Sequence, residues 1–237
     1  MLHATTVTLV TACKYGRASV VIPNAVAQPR RLAHEDTLKE IGLRKQEYVL
    51  AVGRLVPEKA FDLLIEAHAQ LPPADRWKLV IVGGESHDRR CQLRLKSAAA
   101  QAGDVVLAGE LRSEELHDLY SYAGVFVVAS THEGMAFAAL EALSYPIPVL
   151  ASDIPGNRAL GLKEDSYFPS GDASALAERL RRHELSSRSR ESAGRVRRTA
   201  GRTELDSVAA RTLAVYREVA RSRQRARDTA RPAAPCR

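Results

Sequence analysis

Two carboxylates with seven residues between them stand in the segment STHEGMAFAALEAL, directly after the apolar run VFVVAS. Glu133 falls in the loop at the end of a predicted strand. Glu141 falls about two turns into the helix predicted to follow, roughly 10 Å from its start. Because small residues and free amides at a helix N-terminus attract phosphate, the two carboxylates and the amides between them could bind a sugar, a diphosphate and a ribose in that order.

Two cations flank a proline turn in the segment GRLVPEK, which follows another apolar run. Arg54 offers a planar fork and Lys59 a compact point charge, and both suit a diphosphate. A solvated surface pair is the competing interpretation, since exposed charges are the norm. Placement at the same edge of a sheet as Glu133 and Glu141 favours the binding site.

Short apolar runs alternate with helical patterns from Tyr48 to about Asp172. The runs are continuously apolar, as expected for strands buried on both faces. Repeated strand–helix alternation predicts an α/β fold, a doubly wound parallel sheet with flanking helices, whose ligands lie beyond the carboxyl ends of the strands. The strand candidates are YVLAVG (48–53), KLVIVG (78–83), VVLAG (105–109), VFVVAS (125–130) and PVLAS (148–152).

The helical segments carry their own signals. Ser113 is expected to cap the helix SEELHDLYSYA, and Asp172 to cap ASALAERLRRHEL. A further helix is predicted over residues 205–221. The helix FDLLIEAHAQL should bury one stripe of side chains, formed by Phe61, Leu64, Ile65, His68 and Leu71.

The sequence divides into three parts. Residues 1–46 are poor in pattern and are expected to be a partial N-terminal or inter-domain segment, in which VVIPNAV (20–26) is one strand or an extended linker. Residues 47–221 form the main domain with its closing helices, and residues 222–237 a basic, disordered tail. The stretch 221–237 carries six Arg against one Asp, in a chain of net charge +7. A frayed, solvated end is favoured, with contact to an anionic membrane or nucleic acid as the alternatives.

Cysteine usage and hydropathy indicate the compartment. Three cysteines, odd in number and widely spaced, provide neither a disulfide framework nor a zinc motif. No apolar run approaches the ~20 residues of a membrane span. We therefore expect a cytoplasmic protein, with peripheral contact at the inner membrane face left open.

The motifs YVLAVGRLVPEKAFDLLIEA, KLVIVGG, VVLAGELRSEELHDLYSYAGVFVVAS, HEGMAFAALEAL and PVLASDIPGN together resemble the C-terminal, donor-binding half of glycosyltransferase family 4. The likeness runs from about Val20 to about Ala220. The resemblance implies one Rossmann-like half of a GT-B fold. It also implies a retaining hexosyltransferase whose donor is a nucleotide-diphosphate sugar.

The resemblance implies a role for each candidate residue. Arg54 and Lys59 would bind the diphosphate and stabilise the charge that develops as it leaves. Glu133 would face the transferred sugar, and Glu141 would accept hydrogen bonds from the ribose. Neither a metal nor a further cofactor is implied, and the chain has no Asp-x-Asp pair. The remaining contacts would be amides near the phosphates (Met135, Ala136, Phe137, Ala138) and main chain against the base (Gly109, Glu110, Leu111).

Some positions depart from the family pattern. Alanine stands where the family usually has glycine at Ala60 and Ala136, and a Cβ at Ala136 could obstruct close approach to a phosphate. Pro146 replaces a glycine that ends a helix, and proline cannot adopt the left-handed C-cap, so the loop there must run differently.

The residues before Val20 are too few for an N-terminal, acceptor-binding domain. A fragment, one half of a split enzyme and a decayed copy are three interpretations. The main alternative to an enzyme is a non-catalytic or split-enzyme module that docks to a separate acceptor-binding chain. A nicotinamide-dependent oxidoreductase would need a glycine-rich turn that GRLVPEK lacks. No nucleic-acid partner is expected.

Overall fold

The computed structural model describes residues 20–22, 24–26, 34–73, 76–84, 88–187 and 205–229. The chain forms two compact units, one of residues 28–201 and one of residues 1–27 with 202–237. Every residue of the candidate site belongs to the unit of residues 28–201.

The larger unit is built on one sheet of six parallel strands, in the order β3-β2-β1-β4-β5-β6. The five strands predicted from the sequence are confirmed. The sixth has only two residues, too few for a periodic signal. The strands are β1 (Tyr48–Val52), β2 (Lys78–Val82), β3 (Val105–Gly109), β4 (Val125–Val128), β5 (Val149–Ser152) and β6 (Tyr167–Phe168).

Helices cover both faces of this sheet, so the doubly wound α/β fold is confirmed. Single 3₁₀ turns at Pro57–Lys59 and Glu164–Ser166 complete the unit. The helices are α1 (Asp36–Ile41), α2 (Phe61–Ala69), α3 (Arg89–Ala102), α4 (Ser113–Tyr122), α5 (Phe137–Leu143), α6 (Pro155–Arg158) and α7 (Ala173–Ser187).

Successive strand residues point to opposite faces, and each face has its own core. Val49 and Ala51 pack with α2, α3 and α7. Tyr48 and Leu50 pack with α1, α4 and α5. All four side chains are fully buried. Burial on both faces therefore explains why the strands are continuously apolar.

The structure confirms some of the predictions for the helices and contradicts one. The predicted stripe on α2 is buried, and Asp172 caps α7 by accepting a hydrogen bond from the Ala175 amide at 2.8 Å. The expected cap at Ser113 is wrong. Arg112 occupies the cap position, and its amide donates to the Glu115 carboxylate at 2.7 Å, so Ser113 is the first helical residue.

Helix α1 lies before the expected domain boundary between residues 46 and 47. The Thr37 hydroxyl donates to the buried Asp118 carboxylate of α4 at 3.0 Å, and Leu38 is buried in the core. The unit that carries the site thus includes this helix.

The smaller unit contains helix α8 (Leu205–Thr229). The Arg211 guanidinium donates to the Val21 carbonyl at 3.0 Å. The described part of VVIPNAV forms no strand, which favours the extended alternative. The tail predicted to be disordered from residue 222 is helical as far as Thr229, and residues 230–237 lie outside the described residues. No helix in the described ranges is both long and apolar enough to span a bilayer.

Ala60 has a left-handed backbone, with φ of 48° and ψ of 43°. This conformation costs a residue with a Cβ roughly 1–2 kcal/mol. Glycine avoids that cost, but it loses more conformational entropy on folding, which offsets part of the gain. We expect Ala60→Gly to raise the free energy of unfolding by up to about 1 kcal/mol, measured by urea denaturation. The control Ala67→Gly, inside α2, should lower it by about 1 kcal/mol or more. Equal destabilisation by both would contradict the assigned backbone.

Candidate functional site

The strand order reverses between β1 and β4, because the chain first runs outward to β2 and β3 and then returns to the other side of β1. Ligands of such sheets bind in the crevice at the carboxyl ends of the strands where this reversal occurs. The loops after β1 and β4 are joined here by a hydrogen bond of 2.9 Å from the Thr131 amide to the Glu58 carbonyl.

Lys59 and Glu133 meet in this crevice. The Lys59 ammonium donates to Glu133 Oε1, and their side chains are only 22% and 12% exposed. The Ser130 hydroxyl donates to the same Oε1 at 2.9 Å. Glu133 Oε2 has no hydrogen bond to any described residue. The pair is therefore shielded from bulk water, and one carboxylate oxygen has no partner among the described residues.

Arg54 lies at the same end of β1 and is exposed. Its guanidinium forms no ion pair with the residues that the structure describes. The neighbouring strand ends are in close contact, since a Cβ added at Gly83 would lie 1.8 Å from the Gly53 carbonyl oxygen. A cation with no counter-charge among the described residues thus stands beside the crevice.

Helix α5 begins at Phe137, because Ala136 is still extended, with φ of −75° and ψ of 103°. Glu141 is therefore its fifth residue, about 6 Å from the start, and the expected depth of two turns is wrong. The Glu141 carboxylate lies 3.2 Å from the Tyr120 hydroxyl. It is held by a side chain from α4 that the sequence interpretation missed.

Tyr120 is fully buried and stacks on Tyr145, with ring centroids 5.2 Å apart. Burial, together with the adjacent Glu141 carboxylate, raises the pKa of Tyr120. The hydroxyl therefore stays protonated and can donate to Glu141 or to the Ala138 carbonyl, 3.1 Å away. Nothing in the spacing of the α4 residues marks Tyr120 out beforehand.

The first turn of α5 includes two of the four residues, Phe137 and Ala138, whose amides the resemblance assigns to phosphate. The amides of Phe137 and Ala138 have no backbone acceptor within the described part of the chain, as is usual in a first helical turn. The Ala136 methyl is buried in the core with Ala139 and Ala142. Met135 is half-buried in the preceding loop.

The turn after α5 differs from the turn that follows a helix ending in glycine. This difference was expected from Pro146. The C-cap residue of the helix is Ser144, whose backbone is right-handed, with φ of −81° and ψ of −9°. The Ser144 hydroxyl donates to the Glu141 carbonyl at 2.6 Å. No left-handed residue is needed at this C-terminus.

Gly109, Glu110 and Leu111 lie at the carboxyl end of β3. This end is two strands from β1, which corresponds to about 10 Å. Gly109 has a φ of 71° and is exposed, as is Glu110. Leu111 is half-buried against the core. The structure thus places these residues at the same edge of the sheet as Lys59 but well to one side of it.

Two further residues at this edge were missed by the sequence interpretation. The Ser152 hydroxyl, at the end of β5, donates to the Ser130 carbonyl at 2.5 Å. The Asn157 amide nitrogen, on α6, donates to the Ser152 hydroxyl at 2.9 Å. Their place after a predicted strand, in PVLASDIPGN, was the available signal.

Residues 34–199 match the family model described as glycosyl transferases group 1. The chain belongs to this family. The matched range contains every candidate residue of the site and nearly all of the unit of residues 28–201.

Curated relatives of the chain include the amylovoran biosynthesis glycosyltransferase AmsD of Erwinia amylovora. It is 31% identical over 138 residues, or 56% of this chain and 38% of the relative. The D-inositol 3-phosphate glycosyltransferase of Geodermatophilus obscurus is 33% identical over 233 residues, 89% of this chain and 50% of the relative. The chain thus spans half or less of the length of these relatives.

Among solved structures, HepE from Anabaena in complex with UDP and glucose superposes with a TM-score of 0.75 at 19% identity. The superposition covers 90% of this chain and 62% of HepE. The chain therefore has the Rossmann-like fold of one half of a GT-B structure.

Proposed function

We propose that the chain is the donor-binding part of a retaining, family 4 hexosyltransferase that uses a nucleotide-diphosphate sugar. The observation that carries this proposal is the partly buried Lys59–Glu133 pair in the β1–β4 crevice of a group 1 glycosyl transferase. A cation for the diphosphate and a carboxylate for the sugar stand next to each other there.

The cations would stabilise the leaving group. A lysine ammonium has three donors, so the Lys59 bond to Glu133 leaves two for phosphate oxygens. Arg54 would add its planar fork. As the bond between the sugar and the diphosphate breaks, negative charge collects on the diphosphate, and preorganised positive charge stabilises it. The proposal therefore includes neither a metal nor a further cofactor.

The carboxylates would bind hydroxyl groups. Glu133 Oε2 would accept from the transferred sugar, and Glu141, held by Tyr120, would accept from the ribose. The amides of Met135, Ala136, Phe137 and Ala138 would contact the phosphates. Main chain from Gly109, Glu110 and Leu111 would lie against the base. The open Oε2 and the free amides of the first α5 turn support these assignments.

Acceptor recognition belongs to the other half of a GT-B enzyme, and the chain spans at most half of the curated relatives named above. We propose that polypeptide outside residues 28–201 supplies the acceptor site. A separate acceptor-binding chain is one form of this proposal, in which this chain binds the donor and transfer requires the mixture. The basic segment after Arg221 would provide any contact with an anionic membrane.

We expect weak donor binding. Charged hydrogen bonds contribute roughly 1.5–3 kcal/mol each, while association costs about 4 kcal/mol or more, so two cations leave a small surplus. The dissociation constant should lie in the high micromolar to millimolar range. UDP-glucose and UDP are the first probes, because HepE binds UDP and glucose, and saturation-transfer NMR detects affinities in this range.

Two carboxylate substitutions test the proposal. Glu141→Ala should weaken UDP and UDP-glucose alike, by about tenfold, because both contain the ribose. Glu133→Ala should weaken UDP-glucose more than UDP, because only the intact donor carries the sugar. NMR titration of both ligands measures these affinities.

Glu66→Ala provides the matched control, because Glu66 is an exposed carboxylate on α2. It should bind both ligands like the parent chain. If Glu133→Ala weakened the two ligands equally, the assignment of Glu133 to the sugar would be wrong.

A further inference from the structure

We infer that Ser152 and Asn157 are positioning residues for Glu133, which hold its carboxylate in the orientation that receives the transferred sugar. This inference rests on the proposed function, since it concerns the same site. Neither residue touches the crevice, because both are fully buried. Their effect would pass through Ser130 and the backbone of the β4 loop.

A series of hydrogen bonds that passes through the covalent structure of Ser130 connects α6 to the Glu133 carboxylate. The Asn157 amide nitrogen donates to the Ser152 hydroxyl at 2.9 Å, and that hydroxyl donates to the Ser130 carbonyl at 2.5 Å. The Ser130 hydroxyl then donates to Glu133 Oε1 at 2.9 Å. Lys59 donates to the same Oε1, so two donors hold this one carboxylate oxygen.

The direction of each bond is determined by its partners. The Asn157 nitrogen also lies 3.1 Å from the Ser152 carbonyl oxygen. Since a carbonyl only accepts, this contact orients the Asn157 amide. The Ser152 hydroxyl has one proton, which goes to the Ser130 carbonyl, so it accepts from Asn157. The donor and the acceptor of each hydrogen bond in the series are therefore determined.

Direct packing provides a second connection between α6 and the same loop. A Cβ added at Gly156 would lie 2.1 Å from the Glu133 carbonyl oxygen. The loop that leads to α6 is tied in turn to β6, because the Asp153 amide donates to the Phe168 carbonyl at 2.7 Å. The backbone of Glu133 thus packs directly against α6, and the loop before α6 is hydrogen-bonded to β6.

Asn157 is a costly residue at its buried position. Its Oδ1 is buried and has no hydrogen-bond partner in the described ranges. Burying an unpaired amide oxygen is unfavourable, and an apolar side chain would fill the site at lower cost. What the amide adds is its pair of bonds to Ser152, and those bonds continue to Glu133.

The test compares UDP-glucose with UDP on three buried variants of the full chain. Asn157→Ala and Ser152→Ala should each weaken UDP-glucose about fivefold while UDP changes by less than about twofold, since only the sugar contact depends on the Glu133 orientation. Tyr167→Phe is the matched control. It removes a 3.3 Å hydrogen bond to the Asn157 carbonyl and a 3.0 Å hydrogen bond from the Leu162 amide. It therefore perturbs α6 and the segment after it without breaking the series.

The outcomes separate the two proposals. The positioning role is overturned if Asn157→Ala weakens the binding of UDP-glucose and UDP equally, or weakens neither. It is also overturned if Tyr167→Phe changes the ratio of the two affinities as strongly as Asn157→Ala does. In each of these cases the proposed function stands. If the parent chain binds neither ligand, nor any other nucleotide sugar, both are overturned. Circular dichroism checks folding. Ser152→Ala, which loses only one hydroxyl, decides the question if Asn157→Ala does not fold.

Discussion

Lys59→Ala and Arg54→Ala are each expected to remove most nucleotide-sugar binding, by at least about tenfold, because each deletes a charged donor to the diphosphate. UDP and UDP-glucose should weaken together, since both carry the diphosphate. That joint loss distinguishes these variants from Glu133→Ala. NMR titration of both ligands measures it.

Lys39→Ala is the control for charge, because Lys39 is a lysine on α1 with 72% of its side chain exposed. It should bind both ligands like the parent chain. That result would show that the loss of one positive charge does not by itself weaken binding. If Arg54→Ala, Lys59→Ala, Glu133→Ala and Glu141→Ala all bound like the parent, the site would lie elsewhere on the protein.

Gly83→Ala is expected to lower the free energy of unfolding by about 3 kcal/mol or more, because the chain has no room for the new methyl group. Its Cβ would lie 1.8 Å from the Gly53 carbonyl oxygen, on a neighbouring strand end that cannot rotate away as a side chain would. For a chain of this size the melting temperature should fall by about 10 °C. Urea and thermal unfolding provide the measurements.

Gly134→Ala is the matched control for backbone entropy. No atom lies within 4 Å of a Cβ at Gly134, and its φ is not positive. The free energy of unfolding should therefore change by less than about 0.5 kcal/mol. If both variants were equally stable, the ends of β1 and β2 would not approach each other as closely as the structure indicates.

The sequence by itself determined the class of fold. Burial on both faces requires continuously apolar strands, so VFVVAS and KLVIVG identified β4 and β2 without reference to any distant residue. The α2 stripe and the Asp172 cap followed in the same way, because helical periodicity and capping depend on neighbours within a few positions. Such local rules also located Arg54, Lys59 and Glu133 at strand ends.

Local rules failed where a boundary depended on the surrounding loop. Glu141 lies one turn rather than two into α5, because the loop from β4 stays extended as far as Ala136. Ser113 does not cap α4, because Glu115 bonds to the Arg112 amide instead. In each case the competing hydrogen bond or loop conformation produces no periodic pattern in the sequence.

Only the tertiary structure decided which side chains meet. Lys59 and Glu133 are 74 positions apart, and they pair because the strand order puts β4 beside β1. Tyr120 reaches Glu141 from another helix, and Ser152 at the end of β5 reaches the loop after β4. Strand order and register arise from the packing of the whole sheet, so contacts between distant segments cannot be derived from the periodicity of any one of them.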